Sequence, residues 1–485
     1  MSKVSIANLR KTILYCQRNG IKNAIYAALE RLQDREEAYR WEPVPEETLR
    51  AQSREATERG YSVSFSIVVP AYRTPEPYLR EMIQSVLDQS YGRFELIIAD
   101  ASGDDSVKAV VETYEDSRIR YRKLGTNEGI SRNTNAALAM ATMDYVGLLD
   151  HDDVLTADAL FCMAAEIEKG KTEKGQSERE IPLMLYSDED KCNSDRSAYY
   201  EPHRKREFNL DLILTNNYIC HFLVMKRELI QNLGLRDEYD GAQDFDLVLR
   251  GAERLMTRAD VVTDAGVISR VNVMTGSDVV SRADAMAGTN LIAHIPKVLY
   301  HWRCHASSTA ENPRSKLYAY EAGRRAVQDF LDRNGIKGRA VDTKHLGFYR
   351  VQYSGDLFAC RKDVCAYGGS LIRKGKIVGG CMSGEGDVLY EGLSEHQSGY
   401  LHRAVLQQDA EALDIRNIRV RKEYHELFEN VVGVPYREED TGRFDSASLP
   451  DGTDYVGLSC RLCEALRKEG GRLLYLPDMI YRLCL

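Results

Sequence analysis

The stretch "YVGLLDHDDVLTADAL", residues 145–160, decides how the chain is read. Tyr145 to Leu149 is a short apolar run, which predicts a buried strand rather than a helix. Thr156 then stands as an N-cap ahead of Ala157, Ala159 and Leu160, predicting a helix. Asp150, His151, Asp152 and Asp153 therefore lie on a loop at the carboxyl end of a strand, where open α/β sheets bind ligands. Carboxylates crowded this closely repel one another unless a cation or hydrogen-bond donors offset the charge. Oxygen ligands of this kind suit Mg2+ or Mn2+, which complete their shell with substrate phosphates and water. The plainer alternative is a solvated acidic turn that only caps the next helix.

Upstream, the pattern alternates. "FSIVVPAY" (65–72), "FELIIAD" (94–100) and "IRYRKLG" (119–125) read as strands, and the segments between them as helices. Strand–helix alternation with short loops predicts a mostly parallel sheet covered on both faces. Three loops then meet at one edge: Pro70–Tyr72, Asp100–Asp105 and Asp150–Asp153. Downstream, "LMLYSDEDK" reads as a strand and turn, "YICHFLVMKRELIQNLG" as a strand and helix, and "GAQDFDLVLRGAERL" as a helix start. "HIPKVLYHWRCH" reads as a strand with a polar exit, and "YAYEAGRRAVQDFLDRNG" as a closing helix.

The 485 residues have room for two or three domains, and 43% hydrophobic residues is ordinary for a globular protein. A formal net charge of −9 argues against a nucleic-acid partner. No apolar run approaches the ~18 residues needed to span a bilayer, and no signal-peptide core follows the start. The expected location is the cytoplasm. Residues 1–60 read as a charged helical extension whose basic, amphipathic first part suits peripheral contact with the inner face of the plasma membrane. The same helix suits packing on its own domain equally well. The 11 cysteines form no dense framework, so reduced thiols are expected. Cys460 and Cys463 fall in a helical pattern, which disfavours a zinc knuckle.

Taken in order, "FSIVVPAY", "LIIADASGDDS", "NEGISRNTNAAL", "LLDHDD", "YSDEDK", "GAQDFDLVLR" and "HIPKVLYHWRCHASSTA" resemble the family 2 glycosyltransferases, enzymes of the GT-A fold. The likeness runs from about residue 64 to 335 and is greatest to the subgroup that builds bacterial surface polysaccharides, rhamnosyl- and galactosyltransferases included. The resemblance implies a nucleotide-diphospho-sugar donor, a glycan or lipid-linked acceptor, and Mg2+ or Mn2+ as cofactor. It places Pro70, Ala71 and Tyr72 around the nucleotide, Asp100 on the base and Arg132 near base and phosphate. Asp150 would approach the ribose and Asp152 would ligate the metal, with Asp153 supporting the loop. Asp244 matches the family's catalytic base, the carboxylate that takes the acceptor proton in inverting transfer. Asp246 competes for that role, and Gln243 replaces the family's usual glutamate. Arg303 and His305 would meet the diphosphate and His301 would add a metal bond. Asp188 and Glu189 would line the donor sugar pocket.

The sequence departs from the family in two places. A long connection spans 254–293 between the proposed base and the diphosphate strand, where it would form a lid, an acceptor loop or a peripheral hairpin. The tail, 339–485, resembles the acceptor half of a second glycosyltransferase domain. "VMKRELIQNLGL" (224–235) compares with "VRKEYHELFENVVGV" (420–434), and "DFDLVLRGAE" with "YVGLSCRLCE". Aligning Arg250 with Arg461 sets Tyr455 opposite Asp244 and Gly457 opposite Asp246. The expected organisation is thus an α/β protein with a helical extension (1–60), a GT-A domain (61–338) and a degenerate half-domain (339–485). Acceptor binding, homodimer formation or simple packing remains for that tail. The function expected is metal-dependent inverting sugar transfer. The alternative is a non-catalytic GT-A module that binds sugar nucleotide or glycan for a partner.

Overall fold

A computed structural model describes residues 16, 20–21, 39–172, 181–256, 291–305 and 317–483. The amphipathic part of the extension, most of the 254–293 connection and the "ASSTA" following His305 lie outside the described residues.

Four strands follow the sequence pattern: β1 (Phe65–Ala71), β2 (Phe94–Asp100), β3 (Ile119–Lys123) and β4 (Tyr145–Leu148). All pair in parallel, in the order β3-β2-β1-β4. The chain runs outward from β1 to β3 and then returns to the other side of β1. This reversal opens a crevice at the carboxyl ends of β1 and β4. β1, β2 and β4 are buried on both faces. Val68, Ile97 and Val146 join one core, while Ile67, Leu96, Ile98 and Tyr145 join the other. That division is the period-two alternation of an extended chain.

Beyond β4 the sheet continues with β5 (Val154–Leu155), β6 (Met184–Asn193), β7 (Tyr199–His203), β8 (Leu223–Lys226) and β9 (Ile292–Cys304). The order is β4-β8-β6-β9-β5, with β7 against β6. β8 runs antiparallel to both β4 and β6, whereas β6 and β9 pair in parallel over most of their length. The two-residue β5 is a correction to the sequence reading. Val154 and Leu155 pair with His301 and Tyr300 of β9, so the helix expected from Thr156 begins at Ala159. A long-range pairing has taken residues that local pattern alone assigns to a loop. The acidic loop 150–153 is consequently gripped at both ends.

The tail has its own buried cluster, including Ala366, Leu413, Ile418, Phe428, Leu462 and Leu473. The hairpin Gly338–Asp342/Tyr349–Tyr353 instead buries Ala340, Tyr349 and Val351 in a core of the first unit. The two units meet through buried charge. Arg361 forks onto Asp211 at 2.5 and 2.9 Å and also binds Asp363 and the Tyr353 hydroxyl. Arg472 joins Asp211, Asp363 and Asp409 to the same network.

Candidate active site

The carboxyl ends of β1 and β2 are tied together. The Ala101 amide donates to the Ala71 carbonyl (2.9 Å), and the Arg73 amide to Ser102 Oγ (2.8 Å). Asp100 is fully buried and accepts from the Ser102 amide, the Tyr121 hydroxyl and Lys123. Pro70 and Ala71 end β1, and the Tyr72 ring, 39% exposed, projects from the loop beyond them. Arg132 stands apart from these groups. It is exposed and pairs with Asp237 at 2.6 Å and Glu128 at 3.8 Å, a surface ion pair.

The four residues of "DHDD" have separate environments. Asp153 is buried, and both its oxygens are taken, Oδ2 by the Tyr300 hydroxyl (2.6 Å) and Oδ1 by the Arg303 amide (2.7 Å). Burial, and then the charges of Asp152 and Asp150, drive its carboxyl well above the usual range. Asp152 turns outward and meets His305, Oδ2 to Nε2 at 2.9 Å. Asp150 lies with Asp153 and His221 in a group whose ligand atoms are all within 4.8 Å of one another.

His301 and Arg303 do not face this group, and the reason is strand geometry. Successive side chains of β9 alternate between faces. Tyr300 stacks on His221 (4.5 Å between centroids), and Trp302 lies 6.4 Å from it. His301 and Arg303 point the other way. His301 bonds Asp190 through Nδ1 at 2.5 Å and packs between Trp41 and Tyr199. Arg303 is completely enclosed, donating to Glu81, the Ser194 carbonyl and the Asp152 carbonyl while its guanidinium covers the Tyr78 ring. It braces the acidic loop through the Asp152 carbonyl.

Asp244 opens the helix Gln243–Met256. Its Oδ2 accepts from Asn217 Nδ2 at 2.8 Å, with the Cys220 thiol 3.9 Å away. Burial raises its carboxyl above the ordinary range; His221 opposes that shift, and Asp150 adds to it. Asp246 is removed from contention as a base. It is buried and held by Arg236 and, at 2.8 Å, by Arg250. Glu189 faces the same region, accepting the His221 amide at 3.1 Å and lying 3.3 Å from His203 and 3.6 Å from Lys205. Burial would raise its carboxyl, but the Lys205 charge and the His203 hydrogen bond outweigh that cost and hold it down at about 2. Asp188 bonds His294 and the Lys205 amide.

Sequence reasoning missed Asn217, His221 and Tyr300. Asn217 and His221 occur in "TNNYICHF", a polar segment just ahead of β8. Only the insertion of β8 between β4 and β6 carries that segment to the acidic loop.

Residues 66–234 match the family model described as Glycosyl transferase family 2. A Sinorhizobium fredii protein, "Uncharacterized protein y4gI", is 35% identical over 280 residues, covering 57% of this chain and 26% of that protein. The O-antigen biosynthesis protein RfbC of Myxococcus xanthus is 30% identical over 294 residues, 59% of this chain and 19% of its own length. The chain therefore spans a minor part of these relatives. The crystal structure of S. aureus TarS 1–349 in complex with UDP-GlcNAc is 18% identical, covering 56% of this chain and 66% of that one at a TM-score of 0.38. Among the described residues, no helix is long and apolar enough to cross a membrane.

Proposed function

We propose that this chain, whose residues 66–234 match the family 2 glycosyltransferase model, moves a sugar from a nucleotide-diphospho-sugar to a glycan or lipid-linked acceptor with inversion at the anomeric carbon. The observation that carries the proposal is Asp244. It is a carboxylate at a helix N-terminus, raised by burial, oriented by Asn217, and within electrostatic range of the acidic loop. In the proposed reaction Asp244 takes the acceptor hydroxyl proton as that oxygen attacks the anomeric carbon. The bond from that carbon to the diphosphate breaks, and the nucleoside diphosphate leaves with the bonding electrons. Pro70 to Tyr72 and Asp100 would receive the nucleotide, with Asp150 at the ribose. The 30% identity with an O-antigen biosynthesis protein supports a surface polysaccharide as the product.

A divalent cation fits the rim of the acidic loop. Asp152 and His305 are each about one-fifth exposed, with side-chain values of 22% and 20%, and their Oδ2 and Nε2 converge from two strands' ends. Asp150, Asp153 and His221 cluster as closely, but both oxygens of Asp153 already accept bonds inside the protein. Asp152 and His305 would therefore hold the ion, a donor set that suits Mn2+. Bound there, such an ion supplies Lewis-acid stabilisation of the departing diphosphate.

Calorimetry with a panel of nucleoside diphosphates, with and without Mn2+, tests this reading. One nucleotide should bind in a Mn2+-dependent way, and Asp152→Ala should remove the metal dependence. An unchanged Mn2+ response in that variant excludes Asp152 from the metal site, and failure of every nucleotide to bind excludes the transferase reading. Because Asp244 works ionised and its carboxyl is raised, transfer should be lost on acidification at a pH above the ordinary aspartate value of about 4.

A further inference from the structure

Some buried arginines of this protein are saturated. Arg361 makes five side-chain hydrogen bonds, and Arg303 and Arg421 make three each. Three arginines at the junction of the two units have few partners. Arg204 and Arg206 follow β7 on the first unit, and Arg403 reaches over from the second. Arg403 donates one bond, to the Arg204 carbonyl at 2.6 Å, and its guanidinium lies 5.3 Å from the Tyr400 ring. Arg206 makes a single long contact, 3.5 Å to Gln408 Oε1. Among the described residues, no carboxylate lies within ion-pair distance of any of the three.

The placement is built. Tyr400 donates to the Pro202 carbonyl at 2.7 Å and accepts the Arg204 amide at 3.0 Å, so backbone from one unit and side chain from the other hold the cluster in register. Arg206 and Arg403 are half-buried at this seam. Burial and the charge of Arg206 together lower the Arg403 guanidinium from its ordinary value. Each guanidinium offers five donors in a planar fork, and most of them are unused here. Like charges brought together with donors to spare suit an anion, and the fork geometry suits phosphate.

We propose that Arg204, Arg206 and Arg403 form an oxyanion site that receives a phosphate group of the acceptor. The site flanks His203 and Lys205, the two partners that hold Glu189, which in turn accepts the His221 amide beside Asp244. It therefore lies on the base's side of the sheet, away from the carboxyl ends of β1 and β2 where the donor nucleotide belongs. The identity of the ligand rests on the transferase reading; the anion site itself does not. The phosphate has two sources, the diphosphate that links a glycan to its lipid or a single phosphate carried on the glycan.

The test is titration calorimetry of the full chain with inorganic pyrophosphate and with inorganic phosphate, under a chelator that keeps divalent ions from the acidic loop. Pyrophosphate or phosphate should bind, and Arg403→Gln and Arg206→Gln should each weaken binding about tenfold, as loss of a charge-assisted fork predicts. Asp152→Ala should bind as the parent does, which separates this site from the donor site. Arg206→Lys retains the charge and should restore part of the affinity, so a folding defect is distinguishable from loss of a ligand. Pyrophosphate binding tighter than phosphate points to the lipid-linked diphosphate, and equal binding to a single phosphate. Absence of binding by both anions, or binding unchanged in both glutamine variants, overturns the proposal. Because this titration involves no sugar transfer, failure of the transferase reading would leave its result standing.

Discussion

The half of the first unit that carries Asp244 and the body of the tail are built on one plan and finished in opposite ways. In the first, β6 pairs antiparallel with β8 and parallel with β9, and two α-helices lie between β8 and β9 among the described residues. In the tail, Val364–Gly368 pairs antiparallel with Ile418–Val420 and parallel with Arg472–Tyr475, again with two helices between. Leu185 sits opposite Val224 and Ala293, and Ala366 sits opposite Val420 and Leu473. Asp244 opens a helix of 14 residues, and Tyr455 opens another of the same length. The tail also lacks the long connection, passing from Lys468 to Arg472 directly.

The chemistry at those two helix starts differs. Asp244 is left with an amide, a thiol and no cation within ion-pair distance among the described residues. The Tyr455 ring is covered by Arg416 at 4.7 Å, and Arg416 is itself neutralised by Asp414 at 2.7 Å. A charge left without a salt-bridge partner in a half-buried place is destabilising for the fold and available for a reaction. A closed ion pair stacked on a ring is neither. The two regions teach that the plan of strands and helices supplies positions, while satisfaction of the charges decides whether a position does chemistry.

Substitutions can break or sharpen that comparison. The largest effect is expected from Asp244→Asn, which should lower the rate of transfer about 10²–10⁴-fold with donor binding intact, while Tyr455→Phe should leave the rate unchanged. Measured initial rates that fall equally for both would remove the contrast. Next comes the seam: Arg361→Met leaves Asp211 buried against one remaining arginine and should cost about 3–5 kcal/mol in urea unfolding. A loss below 1 kcal/mol would show that the seam is solvated. Smallest is Asn217→Ala, which removes the amide that aims Asp244. It should lower kcat about tenfold, in line with the 1–3 kcal/mol of an unmade buried hydrogen bond, without changing the donor KM. A change confined to KM would instead assign Asn217 to substrate binding.

Much of the first half was readable in advance. Strand–helix alternation places β1 to β4 and the three loops at their carboxyl ends because each strand is a local apolar run between turn signals. The helix start at Asp244 is readable for the same reason. What local pattern cannot supply is which face of a strand looks at the site. His301 and Arg303 are chemically suited to a diphosphate, yet β9 turns Tyr300 and Trp302 to that side. β5 was invisible because a two-residue strand exists only through its partner, and Asn217 and His221 because β8 enters the sheet from far along the chain.

The buried charges at the seam also bear on how such proteins are assembled in evolution. Asp211 belongs to the first unit and its two arginines to the tail. A gene exchange that joined either unit to a foreign partner would bury half of a neutralised set, with an acid or a guanidinium stranded in a dry place. A first unit given a different tail would therefore need either matching cations in that tail or a new residue at 211.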